Sequence, residues 1–135
     1  MTRRQRAVLD TNVLVAAGFR PGSASARLVR AARNGLLVAL WTEATRAEAE
    51  RVVGAISPLS GSGLSDVFGS DGYYAGPLDL APFAHLAGAV DRTLAALAEA
   101  AGAPLVTADG PLQDGARASG VDVLRPSEAV RRLDL

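Results

Sequence analysis

The chain has no cysteine and no lysine, and only one histidine and one tryptophan among its 135 residues. Without cysteine there are no disulfides, thiolate zinc sites or cysteine nucleophiles, which suits a reducing compartment. Aromatic residues are 4% of the chain, so its hydrophobic half is mostly Ala, Leu and Val. That composition fits a compact globular protein with much helix, not a coiled coil or a disordered chain. The formal net charge is zero, so no global basic field advertises nucleic acid. No apolar run approaches the length of a membrane span. The opening MTRRQRAVLDTNVLVAAGF sets arginines before an apolar segment, as a secretion signal does, but Asp10 and Asn12 interrupt that segment. The expectation is a cytoplasmic protein with no membrane contact. By length, residues 1–135 are a single domain able to bury a real core.

The elements are punctuated by Ser, Thr and Gly. AVLD, 7–10, reads as a short buried strand and a turn. Ser23 or Ser25 can cap a helix running to Asn34, with Gly35 as its stop. LLVALW, 36–41, is of strand length, and Thr42 is the N-cap expected for a helix over EATRAEAERVV. Residues 57–77, SPLSGSGLSDVFGSDGYYAGP, are rich in Gly, Ser and Asp and predict a long flexible loop, too long for an ordinary connection. A short helix is expected near 81–88, and a longer one over 91–101 closing at Gly102, with Leu94, Leu97, Ala98 and Ala101 on its buried face. PLVT, 104–107, and VDVL, 121–124, read as strands. PLQDGARAS, 111–119, and SEAVRRL read as helices, the first closing at Gly120. Short strands alternating with helices predict an α/β three-layer sandwich, a short central parallel sheet flanked by helices.

In such folds the carboxyl ends of the strands share one edge, where ligands bind. Asp10 stands inside an otherwise apolar run, and burying an ionised carboxylate there costs several kcal/mol unless it is paired or coordinates a metal. Asp109 follows the PLVT strand, Asp91 opens a helix, and Glu48 lies about two turns into the helix begun at Thr42. If the strands are parallel neighbours, all four acids can meet at one edge. Carboxylates gathered there repel one another and need a cation or protons to coexist. Oxygen ligands without His or Cys select Mg²⁺ or Mn²⁺, ions that serve phosphodiester cleavage. Ordinary structural uses stand beside this: Asp91 as an N-cap, Glu48 in a capping box with Thr45, Asp109 as a turn residue.

VLDTNVL, the spacing from Thr42 to Glu48, and DRTLAALAEAAGAPLVTAD together resemble a PIN domain. The resemblance covers residues 7–53 and 91–125, and residues 54–90 depart from it. It implies a PIN-like fold and a divalent-metal-dependent ribonuclease, typically the VapC-type toxin of a toxin–antitoxin pair. Carried over by position, Asp10, Glu48, Asp91 and Asp109 resemble the family's metal-binding and catalytic acids, with Mg²⁺ or Mn²⁺ as cofactor. Asn12 and Thr107 resemble its supporting polar residues, which orient the ligands. Asp114, a turn further on, is expected to be solvated. Likewise implied are an RNA substrate, a small antitoxin protein and a homodimer.

Arg27, Arg30 and Arg33 recur at helical spacing, and Arg3, Arg4 and Arg6 precede the first strand. They read as solvated faces or as a phosphate-facing rim, to which Arg27 and Arg30 are the candidate contributors. Tyr73 and Tyr74 can stack on RNA bases or anchor their loop. His85 reads as a surface or packing residue. A haloacid dehalogenase-like phosphatase wants a second Asp where Asn12 stands, and a lysine. A dinucleotide site wants glycines where Asp-Thr-Asn stands. The remaining alternative is a PIN-like binding or scaffold module without nuclease activity.

Overall fold

In the computed structural model, residues 4–59, 61 and 63–135 are described, so Arg3 and residues 60 and 62 lie outside them. Four parallel strands, β1 (Gln5–Leu9), β2 (Leu37–Ala39), β3 (Leu105–Val106) and β4 (Val123–Leu124), form a sheet in the order β2-β1-β3-β4. Among the described residues six α-helices flank it: α1 (Thr11–Phe19), α2 (Ala24–Arg33), α3 (Glu43–Ala55), α4 (Ala89–Ala101), α5 (Gly110–Ala118) and α6 (Pro126–Arg132). None of them is long and apolar enough to cross a membrane.

Strand periodicity divides the core in two. Ala7, Leu9, Leu37, Ala39, Val106 and Leu124 face the cluster packed by α1, α2, α3 and α6. Val8, Val38, Leu105 and Val123 face the other, packed by α4, α5 and Phe83. Both faces of the sheet are therefore covered, which is why its strands read as continuous apolar runs.

Caps fall largely where the sequence puts them. The Ser23 hydroxyl accepts from Ala26 N–H at 3.1 Å to start α2, and Thr42 with Thr45 closes a capping box on α3. Thr45 thus pairs with Thr42, not with Glu48. Gly102 and Gly120 end α4 and α5 at φ +62° and +86°, a left-handed conformation that only glycine adopts without strain.

The strands expected at 104–107 and 121–124 keep two residues each, and three elements differ more deeply. Residues 11–19, read as a turn and then core, form helix α1, which starts directly after Asp10. It is apolar on nearly every side, so no helical stripe marks it. The expected helix at 81–88 is a single 3₁₀ turn, Ala81–Phe83, followed by turns up to Gly88. Pro82 removes one backbone donor there. The 36–41 strand shrinks to three residues, with Trp41 instead making an isolated parallel bridge to Tyr73.

The described residues of the 57–77 segment form a loop with two 3₁₀ turns, Ser57–Leu59 and Ser70–Gly72. Its Leu59, Leu64, Val67 and Phe68 are buried in the first core cluster. Trp41 holds it: the indole N–H donates to Gly69 O at 2.8 Å, and the ring lies 4.7 Å from that of Tyr73 and 6.2 Å from that of Phe68.

Candidate active site

The strand order places β2 on one side of β1 and β3 on the other, so successive crossovers leave β1 in opposite directions. A crevice opens at such a reversal, outside the carboxyl ends of the two strands. Asp10 stands at the end of β1, where its N–H donates to Val106 O at 3.0 Å. Thr107 follows β3 and Asp109 caps α5. Asp10 continues the alternation of Val8, and Thr107 that of Leu105, which brings both to the face covered by α4. Asp91 lies in the first turn of α4.

Thr107 is the brace of this site. It is fully buried, and its hydroxyl donates to Asp10 Oδ2 at 2.7 Å while accepting from Asp109 N–H at 3.0 Å. One hydroxyl therefore fixes the two acid-bearing loops to each other. Asp109 in turn accepts from Leu112 N–H at 3.2 Å through Oδ2, so its turn-and-cap role is real and coexists with its place at the site. Gln113 locks the strand end from behind, its amide donating to Thr107 O at 2.8 Å from a buried position.

Electrostatics tie the aspartates together. Burial pushes the Asp10 carboxyl above its ordinary pKa, and the Asp109 charge adds to that rise. The Thr107 bond and the Thr11 and Asn12 backbone N–H groups oppose it. Asp10 is the N-cap residue of α1, although its side chain makes no capping hydrogen bond. Asp91 is also raised, first by burial and then by the charges of Asp10 and Asp109, against the pull of Arg92. The Arg92 guanidinium is itself tied to the carbonyls of Leu86 and Ala87. Burial and neighbouring carboxylates thus raise the cost of ionising Asp10 and Asp91 at one sheet edge, the condition a divalent cation relieves. Among the described residues no group of three or more Asp, Glu or His side chains forms a ready-made ion cage.

Other expected residues lie differently. Glu48 is bound to Arg51, one turn along α3, at 2.6 and 3.2 Å, and is not among the charges acting on Asp10 or Asp91. Its α3 neighbours are engaged too, Glu50 with Arg46 at 2.8 Å and Glu43 with the Tyr73 hydroxyl at 3.3 Å. The Asn12 side chain is exposed, and its contribution to Asp10 comes through its backbone N–H. Asp114 is exposed, as expected for a solvated residue. His85, also exposed, is hydrogen-bonded to Gly115 O at 2.8 Å.

The arginine rim takes a structural form: Arg27 donates to Leu135 O at 2.8 Å, Arg30 to Pro21 O at 2.9 Å, and Arg33 pairs with Asp66. Tyr73 leans on Trp41, while Tyr74 packs against the second core cluster and donates to Pro77 O at 2.9 Å. Both tyrosines thus anchor their loop. Sequence reasoning missed Gln113, because a glutamine inside a helix carries no pattern, and its only signal is that it falls six residues after Thr107.

The arrangement defines an α/β sandwich with an aspartate cluster at the reversal point of its parallel sheet. No protein family, no curated protein and no solved structure matches the chain.

Proposed function

We propose that the chain is a divalent-metal-dependent ribonuclease of the PIN type, the toxin component of a toxin–antitoxin pair. The observation that carries this reading is the convergence of Asp10, Asp91 and Asp109, with Asp10 kept in a buried position that disfavours its charge. Carboxyl groups perturbed by burial and by one another cluster at functional sites. The donor set, oxygens only, fits Mg²⁺ or Mn²⁺. Asp10, Asp91 and Asp109 would hold the ion, which when bound supplies positive charge to the phosphodiester and activates water.

The chain's own part is positioning. Thr107 ties the Asp10 carboxylate to the backbone of Asp109, and Gln113 fixes Thr107 from behind. Among the described residues no side chain is placed as a nucleophile, so water is the attacking group in this reading. Glu48 joins the site on exchanging its partner Arg51, a small cost for a pair in which the guanidinium side chain is 69% exposed. The RNA, the antitoxin and the homodimer are what the PIN resemblance implies, and a cytoplasmic location is the reading of an N-terminal apolar segment interrupted by Asp10 and Asn12.

The Glu48–Arg51 pair is also what favours the second reading, a PIN-like binding or scaffold module without nuclease activity. Incubating the purified protein with a pool of single-stranded and structured RNA separates the two. Cleavage is expected with Mn²⁺ or Mg²⁺, and none with EDTA or in Asp10→Asn. Intact RNA under all conditions, with no metal-induced rise in Tm, would turn the assignment to the scaffold module.

A further inference from the structure

Most of the described arginines are tied to protein oxygens, as Arg27, Arg30 and Arg33 illustrate. Arg20, Arg125 and Arg131 donate their guanidinium groups to no protein oxygen among the described residues. Arg20 and Arg125 line one cavity of about 380 Å³, together with Ala16, Ser23, Ala108 and Ser127. Arg20 follows α1, and Arg125 joins β4 to α6. Residues distant in sequence thus bring two exposed arginines, neither in an ion pair among the described residues, to one concave surface. Glu128, the nearest acid of α6, accepts from the backbone N–H of Arg125 at 2.9 Å and feels its positive charge, but forms no ion pair with it.

The position of the cavity gives it meaning. Ala108, in its wall, lies between Thr107 and Asp109, and Arg125 directly follows β4, the neighbour of β3. The cavity therefore lies at the same carboxyl edge as the aspartates, on the face packed by α1, α2 and α6, while Asp10 and Thr107 turn to the α4 face. A cluster of acids repels a polyanion, so a strand brought to that edge needs positive charge beside it. Guanidinium forks match phosphate oxygens in geometry and charge, and they do not titrate away. The volume lies within the about 300–1,000 Å³ typical of ligand sites.

The geometry points to this cleft as a phosphate subsite, in which Arg20 and Arg125 hold the backbone of a single-stranded RNA next to the phosphodiester presented to Asp10, Asp91 and Asp109. The proposal rests on the nuclease reading for the second half of that statement, while the binding half stands by itself. Single-stranded RNA is favoured over an acidic protein because the cleft adjoins the aspartates, where a carboxylate-bearing partner meets the same repulsion and offers no tetrahedral oxygens to the forks. Arg20 and Arg125 are positioning residues.

The test measures binding of a fluorescently labelled RNA oligonucleotide in EDTA as a function of salt, and cleavage in Mn²⁺, for four proteins. These are wild type, Arg20→Gln/Arg125→Gln, Arg131→Gln and Asp10→Asn. The double variant is expected to bind about tenfold or more weakly, with the slope of log K against log salt smaller by about 1.4, two contacts at about 0.7 each. Arg131→Gln removes one such charge further along α6, half of what the double variant removes, and should change neither by as much as half of that effect. Asp10→Asn should bind RNA yet cut none. Equal affinity and slope in wild type and double variant would overturn the cleft while leaving the nuclease reading in place. Arginine-dependent binding without cleavage in any condition would overturn the nuclease reading and keep the cleft. Wild-type binding of inorganic phosphate or polyglutamate, but not of the oligonucleotide, would refute RNA as the occupant.

Discussion

Thr107→Val is the substitution that weighs the brace of the site most directly. Valine has nearly the shape of threonine, so it opens no cavity at this fully buried position. What it removes is the hydroxyl that donates to Asp10 Oδ2 at 2.7 Å and accepts from Asp109 N–H at 3.0 Å. A hydrogen bond to a charged group is worth about 1.5–3 kcal/mol, and an orphaned backbone N–H adds about 1 kcal/mol. The extra buried methyl returns about 0.8 kcal/mol. The net loss is about 2–3 kcal/mol near neutral pH without metal, a fall in Tm of roughly 6–12 °C for a domain of this size.

The cost must also depend on pH. Burial raises the folded Asp10 carboxyl above its unfolded value, so its ionisation weakens the fold as pH rises from the ordinary carboxylate range through the raised value. The Thr107 bond opposes this by favouring the charged form, so its loss raises the folded value further. The penalty of Thr107→Val is therefore full above the folded value and shrinks as pH falls and the neutral carboxyl forms. Urea unfolding in EDTA at about pH 8 and about pH 5 reads both quantities, because a carboxyl titrates mainly below the upper condition. Thr107→Ser, which keeps the hydroxyl, should show a smaller and pH-independent loss. A Thr107→Val cost below about 0.5 kcal/mol, or one identical at both pH values, would show that the hydroxyl does not support a buried charge.

Asp10→Asn keeps an oxygen for Thr107 and removes the buried charge, so in EDTA it should be more stable than wild type by about 1 kcal/mol at neutral pH. Mn²⁺ should raise the Tm of wild type and not of this variant. A destabilised Asp10→Asn protein, or an equal response to Mn²⁺, contradicts the placement of that carboxylate. Gly72→Ala should lower stability by about 2 kcal/mol or more, because its Cβ would be driven into the backbone carbonyl oxygen of Ala39, a contact that only a backbone shift can relieve. Thermal melts decide it, and a Tm within about 2 °C of wild type would mean that the loop is not seated on β2 as described.

The sheet and most helices could be read because their signals are local. Apolar runs bounded by Gly102, Gly120, Ser23 and Thr42 contain their own stops and starts. Asp10 and Asp109 were legible for a related reason, since each follows a strand and parallel strands end at one edge, whereas Thr107 was singled out by the resemblance to PIN domains alone. Asp91 needed the helix as well, and that helix begins two residues earlier than its polar start suggests. Helix α1 was hidden by its own composition, because a segment apolar on all sides gives no period to detect. Glu48 could not be settled from spacing: on a helix with three glutamates, arginines one turn away take Glu48 and Glu50, and a loop tyrosine takes Glu43. Arg20 and Arg125 stand more than a hundred positions apart, and only the folded chain makes them neighbours.

The seating of residues 72–74 on the end of β2 also bears on how this protein behaves in a crowded solution. β2 is the outer strand of the sheet, and an outer strand offers unpaired backbone groups to any passing chain. Here Trp41 N–H donates to Gly72 O at 2.9 Å and Tyr74 N–H to Trp41 O at 2.8 Å, so the loop occupies that rim with its own backbone. At the opposite rim β4 is only two residues long. Neither side presents a template of useful length for strand-by-strand growth, and the Gly- and Ser-rich segment that looks least structured in the sequence is what guards one of them from aggregation.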